Sequence, residues 1–216
     1  MSFKRENLLD IVWREIPRAI DPIEKLTWDE IKKSALLEDV TYIYESLGGK
    51  GDLSRLKAPD WHIELDGNIV LQLDEQLHFN RFRNLTLRSA IYREDQGFSV
   101  QKFRTYSRKK EDECLKTGTQ AKYWTTPFAE KHFGEGARQG DLKGGGAPAW
   151  KLLAFLDYWQ DLTAALKPVK VIRISIWDEL MLGGKLVSIN DILTNPAEKE
   201  AEALVSYLKR RVQPVK

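Results

Sequence analysis

The amino-acid sequence predicts an α/β fold: a small mixed central sheet flanked by helices, with a helical segment ahead of it. Three observations predict it. Trp61, Ile63 and Leu65 alternate with polar residues up to Asp66-Gly67, and Ile69-Val70-Leu71 follows, the pattern of a β-hairpin. The run VKVIRISIW at 169–177 is apolar, β-branched and of strand length. Helical periodicity fills the chain before the hairpin and just ahead of that last strand.

The bulk numbers bound the rest. A chain of 216 residues, 42% hydrophobic and 31% charged, suits one α/β domain, expected over 35–216, after an N-terminal helical segment over 1–34. The net charge of +2 neither demands nor excludes nucleic acid, because a basic stripe counts there rather than a total. The single cysteine, Cys114, excludes an internal disulfide and a cysteine-based zinc site. Its polar surroundings, KKEDECLKTG, hold no histidine and argue against a catalytic thiol. No apolar run approaches the roughly 20 residues that span a bilayer. The first residues carry charges inside an apolar pattern and read as an amphipathic helix, not a signal peptide. A cytoplasmic protein with no membrane partner is expected.

The elements follow in order. Leu8, Leu9, Ile11, Val12 and Ile16 have roughly helical spacing over 5–16, and Pro17 and Pro22 interrupt. Thr27-Trp-Asp-Glu30 has the form of a capping box for a helix over 28–33. A helix over 35–47 ends at Gly48-Gly49. In the hairpin, Asp66-Gly67 suits a type I′ turn, Glu64 is expected to face solvent, and Ile69–Leu71 reads as a strand covered on both faces. Residues 79–93 read as helix. The stretch 94–148 gives little periodicity: Phe98 to Tyr106 fits a strand or a helix start, and the glycine-rich 134–148 is a loop. Trp150 to Leu162 is an amphipathic helix, and a helix with a basic end, Lys209-Arg-Arg211, occupies 197–211.

Chemistry concentrates around the hairpin. Asp60 and Asp74 lie nearly symmetrically about the turn, so a hairpin carries both to its open end. Magnesium is typically held by one or two carboxylates, with water and phosphate oxygens completing the shell. His78 follows at once. Each residue also has a plain structural reading: Asp60 as an Asx turn after Pro59, Asp74-Glu75 as a strand end capping the next helix, His78 as an ordinary helix-start residue. Arg81, Arg83 and Arg88 read as a solvated helix face or as phosphate clamps, and Arg104, Arg108, Lys109 and Lys110 share that ambiguity. Trp124, Phe128 and Phe133 read as small satellite cores or as platforms for unpaired bases. Gly144–Gly146 lacks the Lys-Ser/Thr of a phosphate-binding loop.

Pro59-Asp60, a hairpin, an acidic cluster on its second strand and then His78 resemble the PD-(D/E)xK nuclease superfamily, in particular its very-short-patch-repair endonuclease-like branch. The later elements are similar too: Trp150, Lys151, Asp157 and Asp161 precede the strand that ends in Trp177-Asp178. The resemblance covers roughly residues 36–92 and 149–180. It implies a restriction-endonuclease-like core and a metal-dependent nuclease acting on DNA, with RNA as the second candidate. It implies Mg2+ or Mn2+ on Asp60 and Asp74, with Gln72 and Glu38 assisting and His78 as general acid/base or orienting group. Arg81, Arg83, Arg88 and Lys151 would contact nucleic acid. The chain departs from the pattern at Gln72-Leu73-Asp74, which lacks the motif lysine and carries a neutral amide where a charged ligand is usual. A non-catalytic nucleic-acid or protein-binding module on the same fold is therefore the rival reading.

Overall fold

The computed structural model describes residues 2–93 and 97–213. It is a mixed α/β protein with a three-stranded mixed sheet and a separate two-stranded sheet. The chain divides into two compact units, each discontinuous in sequence. One comprises the residues up to Glu24, Trp61–Asp74 and the chain from Pro168 onward; the other comprises Lys25–Asp60 and Glu75–Lys167. The expected division at residue 34 follows chain order, whereas these units interleave.

The first unit is built on β1 (Ile63–Leu65), β2 (Ile69–Asp74) and β3 (Lys170–Ser175), in the order β1-β2-β3. β1 and β2 pair antiparallel with Leu65 opposite Ile69. The expected hairpin is present, but its loop has three residues, and the positive φ values fall on Gly67 (76°) and Asn68 (57°) rather than on Asp66 and Gly67. Asn tolerates that region better than most side chains. β2 and β3 pair in parallel, with Gln72 opposite Arg173 and Asp74 opposite Ser175. Parallel neighbours need a long crossover, here residues 75–169.

Side chains alternate across the sheet. Ile63, Leu65, Ile69, Leu71, Leu73, Ile172 and Ile174 share a core with Leu8 and Val12 of α1 (Phe3–Val12), Ile192 of α9 (Ile189–Thr194), and Leu204 and Leu208 of α10 (Glu198–Val212). Each such buried aliphatic contributes about 1.5–3 kcal/mol. The other face begins apolar, with Val70 and Val171 beside Ile23 and Trp61, and then turns polar. Glu64 does not simply face solvent: its carboxylate accepts from the Ile23 N–H at 2.7 Å and fastens the preceding segment to β1. A hairpin that periodicity does not announce, β4 (Glu179–Leu182) and β5 (Lys185–Ser188), turns on Gly183-Gly184, both at positive φ.

The second unit surrounds α8 (Pro148–Leu166), whose Trp150, Phe155, Trp159 and Leu162 are fully buried. α2 (Trp28–Lys33) starts on the expected capping box, with the Thr27 N–H donating to Glu30 at 2.7 Å. α3 (Leu37–Ser46) closes in a Schellman-like turn, with Gly48 at φ 84° and the Gly49 N–H donating to the Tyr44 carbonyl at 2.9 Å. The helix expected over 79–93 is instead α4 (Arg81–Thr86), capped by Asn80, followed by a 3-10 turn. Of the stretch that gave little periodicity, residues 94–96 lie outside the described residues. The remainder forms α5 (Val100–Lys109), α6 (Glu111–Gln120) and α7 (Pro127–Phe133), so Phe98 to Tyr106 leads into a helix. Gly118 of α6 is required by packing, since a Cβ there would lie 2.4 Å from the Trp150 ring. The glycine-rich loop is tied down by Trp124 Nε1 donating to the Ala137 carbonyl and by the Ala137 N–H donating to the Gly146 carbonyl. Trp124 and Phe133 belong to the core, while Phe128 is partly exposed. Among the described residues, no helix is long and apolar enough to cross a membrane.

Candidate functional site

In the first unit, chemistry gathers at the carboxyl ends of the parallel strands, the usual ligand-binding edge of such sheets. The face opposite the aliphatic core carries Gln72 and Asp74 from β2 and Arg173 and Ser175 from β3, all buried. Arg173 Nη1 donates to Asp74 Oδ1 at 2.7 Å, with both side chains out of solvent. Just beyond the strand, Asp178 Oδ2 accepts from the Ser175 N–H at 3.0 Å, and the Ser175 hydroxyl accepts from the Trp177 N–H at 2.9 Å. The side-chain amide of Gln72 is fully buried, and neither of its polar atoms has a hydrogen-bond partner among the described residues. A buried polar group left so is costly, by about 1–3 kcal/mol, and it marks the position as unusual.

In the second unit, a 3-10 turn at Gln76–His78 and the buried side of α8 carry the titratable groups. His78 Nδ1 and Asp157 Oδ2 are 2.8 Å apart and largely shielded. A carboxylate on Nδ1 fixes the ring's orientation and directs Nε2 outward from the pair. One turn further along α8, Asp161 accepts from Arg83 Nη2 at 2.7 Å and from the Tyr92 hydroxyl at 2.6 Å. Tyr158 donates to Asp39 at 2.7 Å, and Ser89 donates to the same carboxylate.

The expected residues fare differently. Asp60 lies outside the ladder, which starts at Ile63; its side chain is 95% exposed and paired with Lys25 at 2.6 Å. The Lys25 ammonium hydrogen-bonded to it holds its carboxyl below the ordinary carboxylate range. Asp74, by contrast, is 0% exposed. Glu38 points to solvent on α3, and its neighbour Asp39 makes the buried contacts. Arg83 is a correction: expected on a solvated or phosphate-facing helix surface, it is 1% exposed and held by Asp161, Thr86 and Tyr92. Arg81 is at the surface, engaged by Glu111 through both carboxylate oxygens. Arg88 is exposed. Lys151 is buried along its stem, with its ammonium 5.5 Å from the centroid of the Phe82 ring. Of the expected groups, then, the structure joins His78 to Asp157, Arg83 to Asp161 and Asp74 to Arg173.

A family model matches residues 42–195, most of the chain. The chain belongs to the DUF7255 family, a family of unknown function. The part that DUF7255 spans includes Gln72, Asp74, His78, Asp157, Asp161 and Arg173, and it leaves out Glu38 and Asp39. No curated protein and no solved structure matches the chain.

Asp39 and Arg173 were not singled out from the sequence, and Asp157 and Asp161 entered only through a likeness. A signal for three of them was present. Arg173 interrupts an otherwise apolar strand, and Asp157 and Asp161 stand four apart in the apolar run LLAFLDYWQDL. Charges in such places are seldom buried unless paired. Asp39 carries no such mark beside Glu38.

Proposed function

We propose that this chain is a metal-dependent nuclease that hydrolyses phosphodiester bonds, with DNA as its substrate, on a restriction-endonuclease-like core. The observation that carries the reading is the His78–Asp157 pair, an imidazole oriented by a shielded carboxylate at 2.8 Å. The element order supports it: helix α3, hairpin β1–β2, helix α8, then β3 parallel to β2.

His78 and Asp157 each offer a ligand atom suited to a divalent cation. The sequence resemblance implies the ion on Asp60 and Asp74 rather than on this pair. A donor set of carboxylate and imidazole suits Mn2+ better than Mg2+, which favours oxygen alone. Such an ion would supply positive charge to offset that developing on the phosphate. In this reading His78 Nε2 would hold the ion, Asp157 on Nδ1 keeps the ring in position and strengthens it as a ligand, and the ion would supply the lowered pKa of the attacking water. Asp60, exposed and engaged by Lys25, contributes at most a surface ligand. Arg81, Arg88 and Lys151 remain the candidates for holding nucleic acid. With one cysteine, a cytoplasmic setting belongs to the same proposal.

The rival, a non-catalytic binding module, is favoured by one observation. Arg173 already occupies one oxygen of Asp74, and its strand neighbour Gln72 is neutral. Cleavage of supercoiled plasmid with Mn2+, with Mg2+ and with EDTA separates the two. The nuclease reading expects metal-dependent nicking that falls at least about a hundredfold in His78→Ala and Asp157→Asn, with circular dichroism unchanged. Metal-independent binding without nicking, or equal nicking by both variants, rejects it.

A further inference from the structure

The geometry points to an oxyanion subsite in the second unit, in which the Lys151 ammonium, with Lys50 as a second cation, takes a phosphate group beside Gly48. It deepens the proposed contact of Lys151 with nucleic acid, yet it requires no metal and is tested without one.

Lys151 lies in the second turn of α8 and is only 7% exposed. Among the described residues, no carboxylate, carbonyl or hydroxyl accepts a hydrogen bond from its ammonium, which lies 5.5 Å from the centroid of the Phe82 ring. A shielded ammonium without an anion is expensive, and the usual remedies are a counter-charge or loss of the proton. Gly48, beside the ammonium, follows directly on the end of α3. Three carbonyls there, Ile43, Tyr44 and Glu45, already accept from the N–H groups of Leu47, Gly49 and Gly48. None of them accepts from the Lys151 ammonium, which is left beside a helix end that does not ligate it.

There is also room. A Cβ built on Gly48 would meet nothing within 4 Å except the Lys151 ammonium, at 3.4 Å. Gly48 itself is at φ 84°, a conformation that disfavours any side chain that would fill this space. A Cβ on Gly146 would instead stand 2.9 Å from the Phe82 ring, 3.4 Å from the Leu142 carbonyl oxygen and 3.7 Å from the Lys151 stem, so the space lies on the Gly48 side. Lys50 adds like charge: burial first, and then the charge of Lys50, hold the Lys151 amine below the ordinary lysine range. No ion pair engages Lys50 among the described residues. Two lysines that repel one another, one of them shielded and both without carboxylates, are relieved by a shared anion, and the tetrahedral, doubly charged phosphate is a strong acceptor for such donors.

Thermal unfolding in EDTA, with inorganic phosphate against chloride at equal ionic strength, is the test. Millimolar phosphate is expected to raise Tm of the wild type by about 2–4 °C. The shift should vanish in Lys151→Met and shrink in Lys50→Met, whose exposed position leaves folding intact. An equal shift in Lys151→Met, or none in the wild type, overturns the subsite. A short oligothymidylate that competes with phosphate for the wild type assigns the subsite to a nucleic-acid backbone; phosphate binding without such competition assigns it to free phosphate. Phosphate binding that persists in a chain unable to nick DNA rejects the nuclease reading alone. Nicking by a chain that shows no phosphate shift rejects the subsite alone.

Discussion

The helices α8 and α10 are both long, and each packs against the core of its own unit, yet they treat polar residues in opposite ways. α10 buries Ala201, Leu204, Val205 and Leu208 and sends its charges outward, with Glu198 and Glu200 at its start and Lys209, Arg210 and Arg211 at its end. That is the arrangement favoured by the helix dipole and by amphipathic packing. α8 buries Lys151, Asp157, Gln160, Asp161 and Thr163 among its aromatic residues. Shielding so many polar groups costs free energy that simple packing would avoid. The difference teaches where to look for chemistry: a helix that only needs to be stable resembles α10, and one that also carries polar work resembles α8.

The comparison breaks most visibly at Asp161. Asp161→Ala removes the carboxylate to which the buried guanidinium of Arg83 donates at 2.7 Å. The expected loss is about 3–5 kcal/mol, the usual cost of breaking a buried pair from one side. Urea unfolding measures it. If the pair is a specificity device rather than a source of stability, the double variant Arg83→Met, Asp161→Leu recovers most of that loss. On α10 the corresponding large effect comes from an apolar residue. Leu204→Ala, at a fully buried position, should cost about 2–5 kcal/mol through lost transfer energy and the cavity left behind.

How far this contrast was legible in the sequence follows from what each helix responds to. α10 was legible because its apolar stripe and charged ends are local features. α8 was legible as a helix for the same reason. The burial of Asp157 and Asp161 was not, because their partners His78 and Arg83 stand 79 and 78 residues away. Periodicity reports which side is apolar; it does not report that a distant residue neutralises a charge there. Position 38 versus 39 makes the same point at finer scale. Helical phase turns by about 100° per residue, so a one-residue error in placing α3 exchanges solvent-facing Glu38 for Asp39, which contacts Tyr158 and Ser89. The hairpin was legible because alternation and turn chemistry are local, although Asn68 moved its turn by one residue. That Asp60 and Asp74 differ so widely in exposure was not, because their sequence symmetry about the turn says nothing of where β1 begins.

Lys151 sharpens the contrast in a third way, through pH. Its amine is held below the ordinary lysine range by burial first and by Lys50 second. Between that lowered value and 10.5, the unfolded chain binds the proton more readily than the folded one. Stability from this group therefore rises with pH across that window, and the penalty is fully present below it. Lys151→Met should raise stability near neutrality by about 0.5–2 kcal/mol. Its advantage should shrink as pH climbs toward 10.5, as urea titrations at several pH values would show. An advantage that stays constant with pH would mean the gain comes from packing against Phe82 rather than from removing a charge.

The smallest effect belongs to the exposed side of α10. Glu202 faces solvent, and no ion pair or hydrogen bond fastens its side chain among the described residues. Glu202→Ala trades one good helix former for a slightly better one, and the expected change is within about 0.5 kcal/mol of zero. The substitution is informative because Asp161→Ala makes the same chemical change, carboxylate to methyl, on the other helix. If the two cost alike, burial of charge on α8 has no energetic consequence and the contrast fails. If Glu202→Ala is silent while Asp161→Ala is severe, the cost of the carboxylate on α8 lies in its shielded partner. The polar groups of α8 are then held there for a reason that stability alone does not supply.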